Sequence, residues 1–162
     1  MFKAAVLTVS DRASSGGYID ESGPAAASIL CEALGLSNVP VEVIPDDRTG
    51  IEQVLRRWSD EEHVDLIVTS GGTGISPRDV SPDATQAVLD YQVPGLAEVM
   101  RAASLRKTPM AALSRAVAGV RGRTLIINLP GSPKAVRECL EAVLPVIPHA
   151  LEQLRGGGHE KC

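Results

Sequence analysis

The chain has 162 residues, a length that suits one domain with a hydrophobic core of its own. Aromatic residues make up 2% of it and its formal net charge is −4, which argues against a nucleic-acid partner that needs stacking platforms and a basic surface. No apolar run approaches the roughly 18 residues of a membrane span and no signal peptide opens the chain, so we expect a cytoplasmic protein with no membrane partner.

Apolar periodicity and turn residues predict an alternation of strands and helices. In chain order these are strand 3–9, helix 24–35, strand 41–44, helix 49–58, strand 63–69, helices 82–90 and 94–105, strands 116–120 and 124–129, and a helix that begins at residue 133. The β-loop-α-β-α-β order of the first elements is typical of a parallel sheet wound by helices. The last two strands form a hairpin with a turn at 121–123. Pro145 and Pro148 must kink or divide the last helix.

Short polar residues mark the predicted helix starts. Thr49 and Glu52 have the spacing of a capping box, while Ser81 and Ser132 each precede a proline at the first helical position. Cys31 and Cys139 fall on apolar helix faces and are expected in the core. We expect the domain to extend over residues 1–155 and the glycine-rich residues 156–162, with Cys162 at the end, to form a flexible tail.

The segment 66–85 carries the strongest functional signal. Its buried strand ends in the loop Ser70–Gly74, whose glycines let backbone N–H groups turn toward a ligand. Arg78 and Asp79 follow, and then the N-terminus of the next helix, where an anion is favoured. Neither GxxxxGK[ST] nor GxGxxG is present, so P-loop and dinucleotide-binding motifs are excluded. The segment therefore predicts an anion-binding loop of another kind.

Polar loops follow four of the predicted strands, at residues 10–12, 45–48, 70–79 and 128–132. In open parallel sheets, ligands bind beyond the carboxyl ends of the strands. We therefore expect all four loops to meet in one crevice. A solvated loop with an Asx-turn remains open for residues 10–12, as does a plain strand-to-helix turn for residues 130–133.

Five segments from Ser10 to about Leu140 form a specific set, and they read VSDRASSG, IPDD, TSGGTGISPRDVSPDAT, LSRAVAGV and NLPGSPKAVRECL. By these segments the chain resembles the molybdenum-cofactor biosynthesis domain, specifically the molybdopterin adenylyltransferases, which include homologous domains of fusion proteins such as gephyrin. The resemblance implies a three-layer α/β sandwich with a mostly parallel central sheet, helices on both faces and a small β-hairpin. It also implies a homotrimer that uses MgATP to adenylylate the terminal phosphate of molybdopterin, releases pyrophosphate, and hands its product to the molybdenum-insertion protein.

By position in these motifs, Asp46 and Asp79 are the expected catalytic carboxylates and ligands of Mg²⁺, which prefers one or two carboxylates beside phosphate oxygens. The sequence does not divide their roles; Asp47 competes with Asp46, and an ion pair with Arg78 is the alternative for Asp79. The residues expected to bind substrate or nucleotide are Ser10, Asp11, Arg12, Ser70, Gly71, Gly72, Thr73, Gly74, Arg78, Ser114, Pro130, Gly131 and Ser132. For Ser114, a surface position at a helix end remains open.

Three other functions remain open. A sister branch of the same fold binds molybdopterin without turnover, scaffold proteins use the fold as an assembly module, and competence-damage-type proteins use it to cleave nucleotides. The last two normally carry further domains. Only the adenylyltransferase forms adenylylated pterin.

Overall fold

A six-stranded sheet forms the centre of the protein, whose computed structural model describes residues 1–157. Its strands are β1 Ala4–Val9, β2 Val41–Ile44, β3 Leu66–Ser70, β4 Tyr91–Gln92, β5 Ala118–Arg121 and β6 Thr124–Leu129. They lie in the order β2-β1-β3-β6-β5-β4. Strands β2, β1, β3 and β6 run parallel to one another, while β5 pairs antiparallel with both β6 and β4. The predicted mostly parallel sheet and its hairpin are confirmed.

Helices cover both faces of this sheet. They are α1 Asp11–Ser14, α2 Ser22–Leu34, α3 Arg48–Arg56, α4 Ser81–Val88, α5 Pro94–Leu105, α6 Pro133–Val143 and α7 Ile147–Leu154. Successive strand residues point to opposite faces, so Val68 packs in the core under α2, α5, α6 and α7, whereas Ile67 packs in the core under α3 and α4. The three-layer arrangement is therefore as expected.

The register of the parallel strands brings their carboxyl ends to one edge. Thr8 of β1 lies opposite Ser70 of β3, and Ser70 lies opposite Leu129 of β6. On the other side of β1, Val9 lies opposite Ile44 of β2. The four loops that leave these strands consequently start side by side.

Two helix starts differ from their predictions. Asp47 rather than Thr49 caps α3, because its carboxylate accepts a hydrogen bond from the Gly50 N–H at 2.8 Å. The predicted capping box is wrong, and Glu52 instead forms ion pairs with Arg48 and Arg56 of its own helix.

The prediction that Ser81 caps α4 is also wrong. Val80 is the capping residue and Ser81 lies inside the first turn. The predicted cap at Ser132 is confirmed, since its hydroxyl accepts from the Ala135 N–H at 3.2 Å. Helix α6 ends at Val143 and α7 begins at Ile147, so the chain divides around Pro145 as expected.

Some elements of the structure were not predicted from the sequence. Residues 11–14, predicted as loop, form the one-turn helix α1, which Ser10 caps. A 3₁₀ segment over Pro109–Leu113 and the two-residue strand β4 were not predicted. Strand β3 begins at Leu66, not at His63, because His63 adopts φ +52° and the Val64 N–H returns to the Trp58 carbonyl.

The C-terminal predictions are met only in part by the described residues. Gly156 and Gly157 follow α7, and residues 158–162 lie outside the described residues. The flexible tail, the position of Cys162 in it and the division of the chain into one domain and a tail therefore stay predictions. Cys139 is buried, and Cys31 is half-buried against the same core. Within residues 1–157, no helix has the length and apolar character needed to cross a bilayer.

Candidate active site

A cavity of about 530 Å³ lies beyond the carboxyl ends of β1, β2, β3 and β6, and we call it the polar cavity because most of the residues that line it are polar or charged. Each of the four polar loops contributes to its lining. The predicted site residues found there are Ser10, Asp11, Arg12, Asp46, Ser70, Gly71, Gly72, Asp79, Gly131 and Ser132. Asp46 lines this cavity, whereas its competitor Asp47 is engaged in capping α3.

A second cavity of about 240 Å³ lies beside the first and is mainly apolar. Helices α5 and α6 and the 3₁₀ segment form its walls. The predicted site residues that line it are Thr73, Gly74, Ser114 and Pro130. Since Gly71 and Gly72 face the polar cavity, the glycine loop lies between the two, and the single crevice expected from the sequence is in fact divided.

The glycine loop holds a backbone conformation that needs glycine. Gly71 and Gly72 have φ values of +98° and +66°. A Cβ on Gly71 would overlap the carbonyl oxygen of Val9, and one on Gly72 would lie 2.6 Å from Oγ of Ser81. The N–H groups of Gly72, Thr73 and Gly74 have no hydrogen-bond acceptor within residues 1–157. These donors suit an anion.

The first two residues of α4 offer no free N–H group to a ligand. The Ser81 N–H donates to the Gly72 carbonyl at 3.1 Å, and Pro82 has no N–H to offer. The Ser81 hydroxyl is buried and has no partner within the described chain. The N-terminus of α4 therefore binds the glycine loop itself through the hydrogen bond from Ser81 to Gly72.

Two carboxylates lock the loops after β1 and β2 together. The Asp11 N–H donates to Oδ2 of Asp46, and the Asp46 N–H donates to Oδ1 of Asp11, both at 2.9 Å. The bond from the Asp46 N–H and the nearby Arg78 guanidinium lower the pKa of Asp11. Burial raises the pKa of Asp46, and the charges of Asp11 and Asp79 add to that rise.

Asp79 closes its own turn beyond the glycine loop. Its Oδ2 accepts from the Ser76 N–H at 3.0 Å, while its N–H donates to the Ser76 carbonyl at 2.9 Å. The alternative role for Asp79, an ion pair with Arg78, is not formed. Arg78 donates instead from Nε and Nη2 to the two carboxylate oxygens of Asp11, at 3.0 Å each, and it lines neither cavity.

Arg115, the residue after Ser114, binds the glycine loop and the turn that follows it through several hydrogen bonds. Its backbone N–H donates to the Thr73 carbonyl at 2.8 Å and its Nε to the Gly74 carbonyl at 2.8 Å. Its Nη2 donates to the Asp79 carbonyl at 2.6 Å, and the same guanidinium pairs with the carboxylate of Asp83. The sequence signal was the LSR segment, but the spacing did not show which loop Arg115 would contact.

The loop between α1 and α2 supplies residues that the sequence analysis did not assign. Asp20 accepts from the Thr8 hydroxyl at 2.7 Å and lines the polar cavity with Tyr18. At the first position of α2, the Ser22 hydroxyl donates to the Gly131 carbonyl at 2.6 Å, which connects the end of this loop to the loop after β6. In the sequence, this segment is a run of serine, glycine and acidic residues, which predicted a loop but no role for Tyr18, Asp20 or Ser22.

The carboxylates of the polar cavity fit a magnesium ion that also binds phosphate. Asp46 and Asp79 each use one oxygen in the bonds above, and Oδ1 of each has no hydrogen-bond donor in the part of the chain that the structure describes. Over residues 1–157 no three His, Cys, Asp or Glu side chains are grouped to hold a metal by themselves. Mg²⁺ bound through substrate phosphates requires only one or two carboxylates.

Comparison with known proteins gives a consistent result. A family model described as a probable molybdopterin binding domain matches residues 5–149. The chain is 48% identical over 152 residues to a molybdopterin adenylyltransferase of Helicobacter pylori, which covers 93% of this chain and 86% of that protein. It is 44% identical to gephyrin of Dictyostelium discoideum over 90% of this chain but only 21% of that one. The crystal structure of the molybdopterin biosynthesis enzyme MoaB from Thermus thermophilus superposes with a TM-score of 0.86 at 55% identity, covering 96% of this chain and 98% of that one.

Proposed function

The chain belongs to the family of molybdopterin-binding domains of molybdenum cofactor biosynthesis, and we propose that it is a molybdopterin adenylyltransferase. It is then a nucleotidyltransferase that joins AMP to the terminal phosphate of molybdopterin and releases pyrophosphate from ATP. The observation that carries the proposal is the glycine loop, whose N–H groups have no partner in the described part of the chain and lie between a polar and an apolar cavity, beside Asp46 and Asp79.

The reaction brings two phosphorylated molecules together, because the pterin phosphate must attack the α-phosphorus of ATP. Such a step depends on positioning and on neutralising negative charge more than on a protein nucleophile. The N–H groups of Gly72, Thr73 and Gly74 would hold phosphate oxygens at the junction of the cavities. Ser70, Gly131 and Ser132 form the adjoining wall of the polar cavity.

Asp46 and Asp79 would hold a Mg²⁺ ion together with these phosphates. When bound, Mg²⁺ draws charge from the phosphate oxygens and favours attack at the α-phosphorus. Asp46 is fixed by the Asp11 N–H and Asp79 by the Ser76 N–H, so both carboxylates are oriented before substrate arrives. Burial raises the pKa of Asp46, and a cation bound beside it would lower that pKa again and favour the ionised carboxylate.

Finer features of the proposal are supported by the resemblance. They are a homotrimer, a cytoplasmic location, and transfer of the product to the molybdenum-insertion protein. The trimer has one further support in the structure, because apolar side chains of α5 and the 3₁₀ segment are exposed to solvent: Val99, Leu105, Met110 and Leu113. Exposed apolar surface of this kind is typical of contacts between subunits.

The test is incubation of the purified chain with molybdopterin, α-labelled ATP and Mg²⁺, with label followed into the pterin. Transfer by the unaltered chain and its loss in Asp79→Asn would support the proposal. Tight pterin binding without transfer under any divalent metal would instead support the non-catalytic sister branch. Tight binding of a protein partner with neither pterin binding nor transfer would support an assembly module. ATP cleavage that leaves the pterin unlabelled would favour a nucleotide-cleaving enzyme.

A further inference from the structure

Aromatic side chains are scarce in this protein, and one of them lines the polar cavity. The chain has one Phe, one Trp and two Tyr. Phe2 packs under the Arg155 guanidinium at 4.5 Å, Trp58 is buried in the core, and Tyr91 lies on the edge strand β4, opposite the β2 edge. Tyr18 alone among the four lines the cavity that holds the carboxylates.

The ring of Tyr18 contacts a cation and is not buried. The Arg12 guanidinium lies 5.3 Å from its centroid, a distance typical of a cation–π contact. Arg12 belongs to α1, whose start is fixed by the Ser10 hydroxyl accepting from the Ala13 N–H. Tyr18 is 45% exposed, and its hydroxyl makes no hydrogen bond with residues 1–157. Part of the ring is thus available to a ligand.

The shape of the substrates requires two ring sites. Each substrate of the proposed reaction carries its heteroaromatic ring at one end and phosphate at the other. When the phosphates meet at the glycine loop, the rings must extend to either side. One side is the apolar cavity, which is lined by aliphatic groups such as Met100 and Leu113. The other side is the polar cavity, and among the described residues that line it Tyr18 is the only aromatic one.

We propose that Tyr18 stacks on the heteroaromatic ring of one substrate at the outer end of the polar cavity, with Arg12 holding the tyrosine ring from its other face. The inference rests on the proposed function, since that function supplies the ring-bearing substrates. Stacking on an aromatic side chain changes the affinity for a base by about fivefold to a hundredfold. The ring is either the adenine of ATP or the pterin.

The experiment compares Tyr18→Leu, which removes the aromatic face, with Tyr18→Phe, which keeps it. Tyr91→Leu is the matched control, because Tyr91 is also an exposed tyrosine but lies on the distant edge strand. Dissociation constants for AMP and for molybdopterin are measured by calorimetry with the full chain. We expect Tyr18→Leu to weaken one of the two ligands at least fivefold, while Tyr18→Phe and Tyr91→Leu stay within twofold of the unaltered chain. The ligand that is weakened identifies the ring.

Two outcomes would overturn the inference. Both dissociation constants staying within twofold in Tyr18→Leu would exclude stacking, and Tyr18→Phe binding as weakly as Tyr18→Leu would assign the effect to the hydroxyl. A second measurement uses the unaltered chain: ring protons of the stacked ligand must shift upfield in its NMR spectrum on binding, and the absence of any shift for both ligands also overturns it. Since both readouts measure binding, an absent transfer reaction with intact stacking would count against the adenylyltransferase alone.

Discussion

The guanidinium of Arg78 donates two hydrogen bonds of 3.0 Å to the carboxylate of Asp11, so two residues that we expect to bind substrate are hydrogen-bonded to each other. Asp11 also accepts from the Asp46 N–H, and the ion pair thus lies beside the Asp46 carboxylate. Both side chains are largely exposed, at 65% for Arg78 and 44% for Asp11. An exposed pair adds little to stability, so its main effect is electrostatic.

Removing the charge of Arg78 is expected to shift the pH dependence of transfer. The Arg78 charge lowers the pKa of Asp46, against burial and the charges of Asp11 and Asp79, which raise it. In Arg78→Gln the pKa of Asp46 therefore rises further, and the acid limb of kcat/KM moves to higher pH if ionised Asp46 is required. The measurement is a pH profile at subsaturating ATP. Arg123→Gln, at the opposite end of the sheet, is the control, and an acid limb that moves equally in both variants would contradict the assignment.

Asp46→Asn is expected to separate stability from activity. In the folded protein burial raises the pKa of Asp46 above its unfolded value, so at neutral pH the ionised side chain is less stable folded than unfolded. Asn keeps an oxygen to accept from the Asp11 N–H and carries no charge. We expect a higher melting temperature than the unaltered chain at pH 7. That advantage disappears as the pH falls below the pKa of the unfolded carboxyl, where Asp46 is protonated in both states.

The same Asp46→Asn variant should lose transfer activity by about a hundredfold or more, the size of effect seen when one preorganised electrostatic contact is removed. The assay uses saturating Mg²⁺ and the labelled ATP described above. Asp47→Asn is the matched control, because Asp47 caps α3 and does not line the cavity. Asn at position 47 still caps α3, so a control that loses activity as severely as Asp46→Asn would assign the effect to the loss of negative charge in this loop and not to the cavity carboxylate.

The sequence predicted those parts of the site that depend on local pattern. Buried apolar runs indicated the parallel strands, and the carboxyl-edge rule then placed Asp46 and Asp79 near each other. The LSR segment marked Arg115 as a residue that could reach substrate, but its contacts with the glycine loop were not predicted, because its partners Gly74 and Asp79 lie some 40 positions away in the sequence and meet it only through the fold. The cap of α3 was misassigned because Asp47 and Thr49 are both good capping residues two positions apart, and only backbone geometry distinguishes them.

Arg115→Met is expected to loosen the glycine loop. The variant removes guanidinium bonds to the Gly74 and Asp79 carbonyls and the ion pair with Asp83, while keeping the aliphatic stem and the backbone bond to Thr73. We expect a loss of about 1–2 kcal/mol in the free energy of unfolding, since these are solvent-accessible bonds. Hydrogen exchange of the hydrogen-bonded amides of Gly71, Ser76 and Asp79 should accelerate, and kcat should fall because the Asp79 backbone loses the Arg115 contact and only the bonds with Ser76 remain.

Asp83→Asn is the control for this variant. It removes the charge partner of Arg115 but leaves the carbonyl contacts to the loop in place. We expect close to unaltered hydrogen exchange in residues 71–79 and a kcat within about threefold of the unaltered chain. If Asp83→Asn reproduced the full effect of Arg115→Met, the ion pair rather than the carbonyl clamp would hold the loop.

Gly71→Ala and Gly16→Ala test how closely the glycine loop is packed against β1. Both glycines have positive φ, at +98° and +82°, so alanine is strained at either position. A Cβ at Gly16 meets no atom within 4 Å, whereas one at Gly71 overlaps the Val9 carbonyl, which cannot move without distorting β1. We expect Gly16→Ala to lower the free energy of unfolding by about 1 kcal/mol and Gly71→Ala by about 3 kcal/mol or more. Chemical denaturation measures both, and a similar loss in the two variants would mean that backbone strain alone, and not contact with β1, requires glycine at position 71.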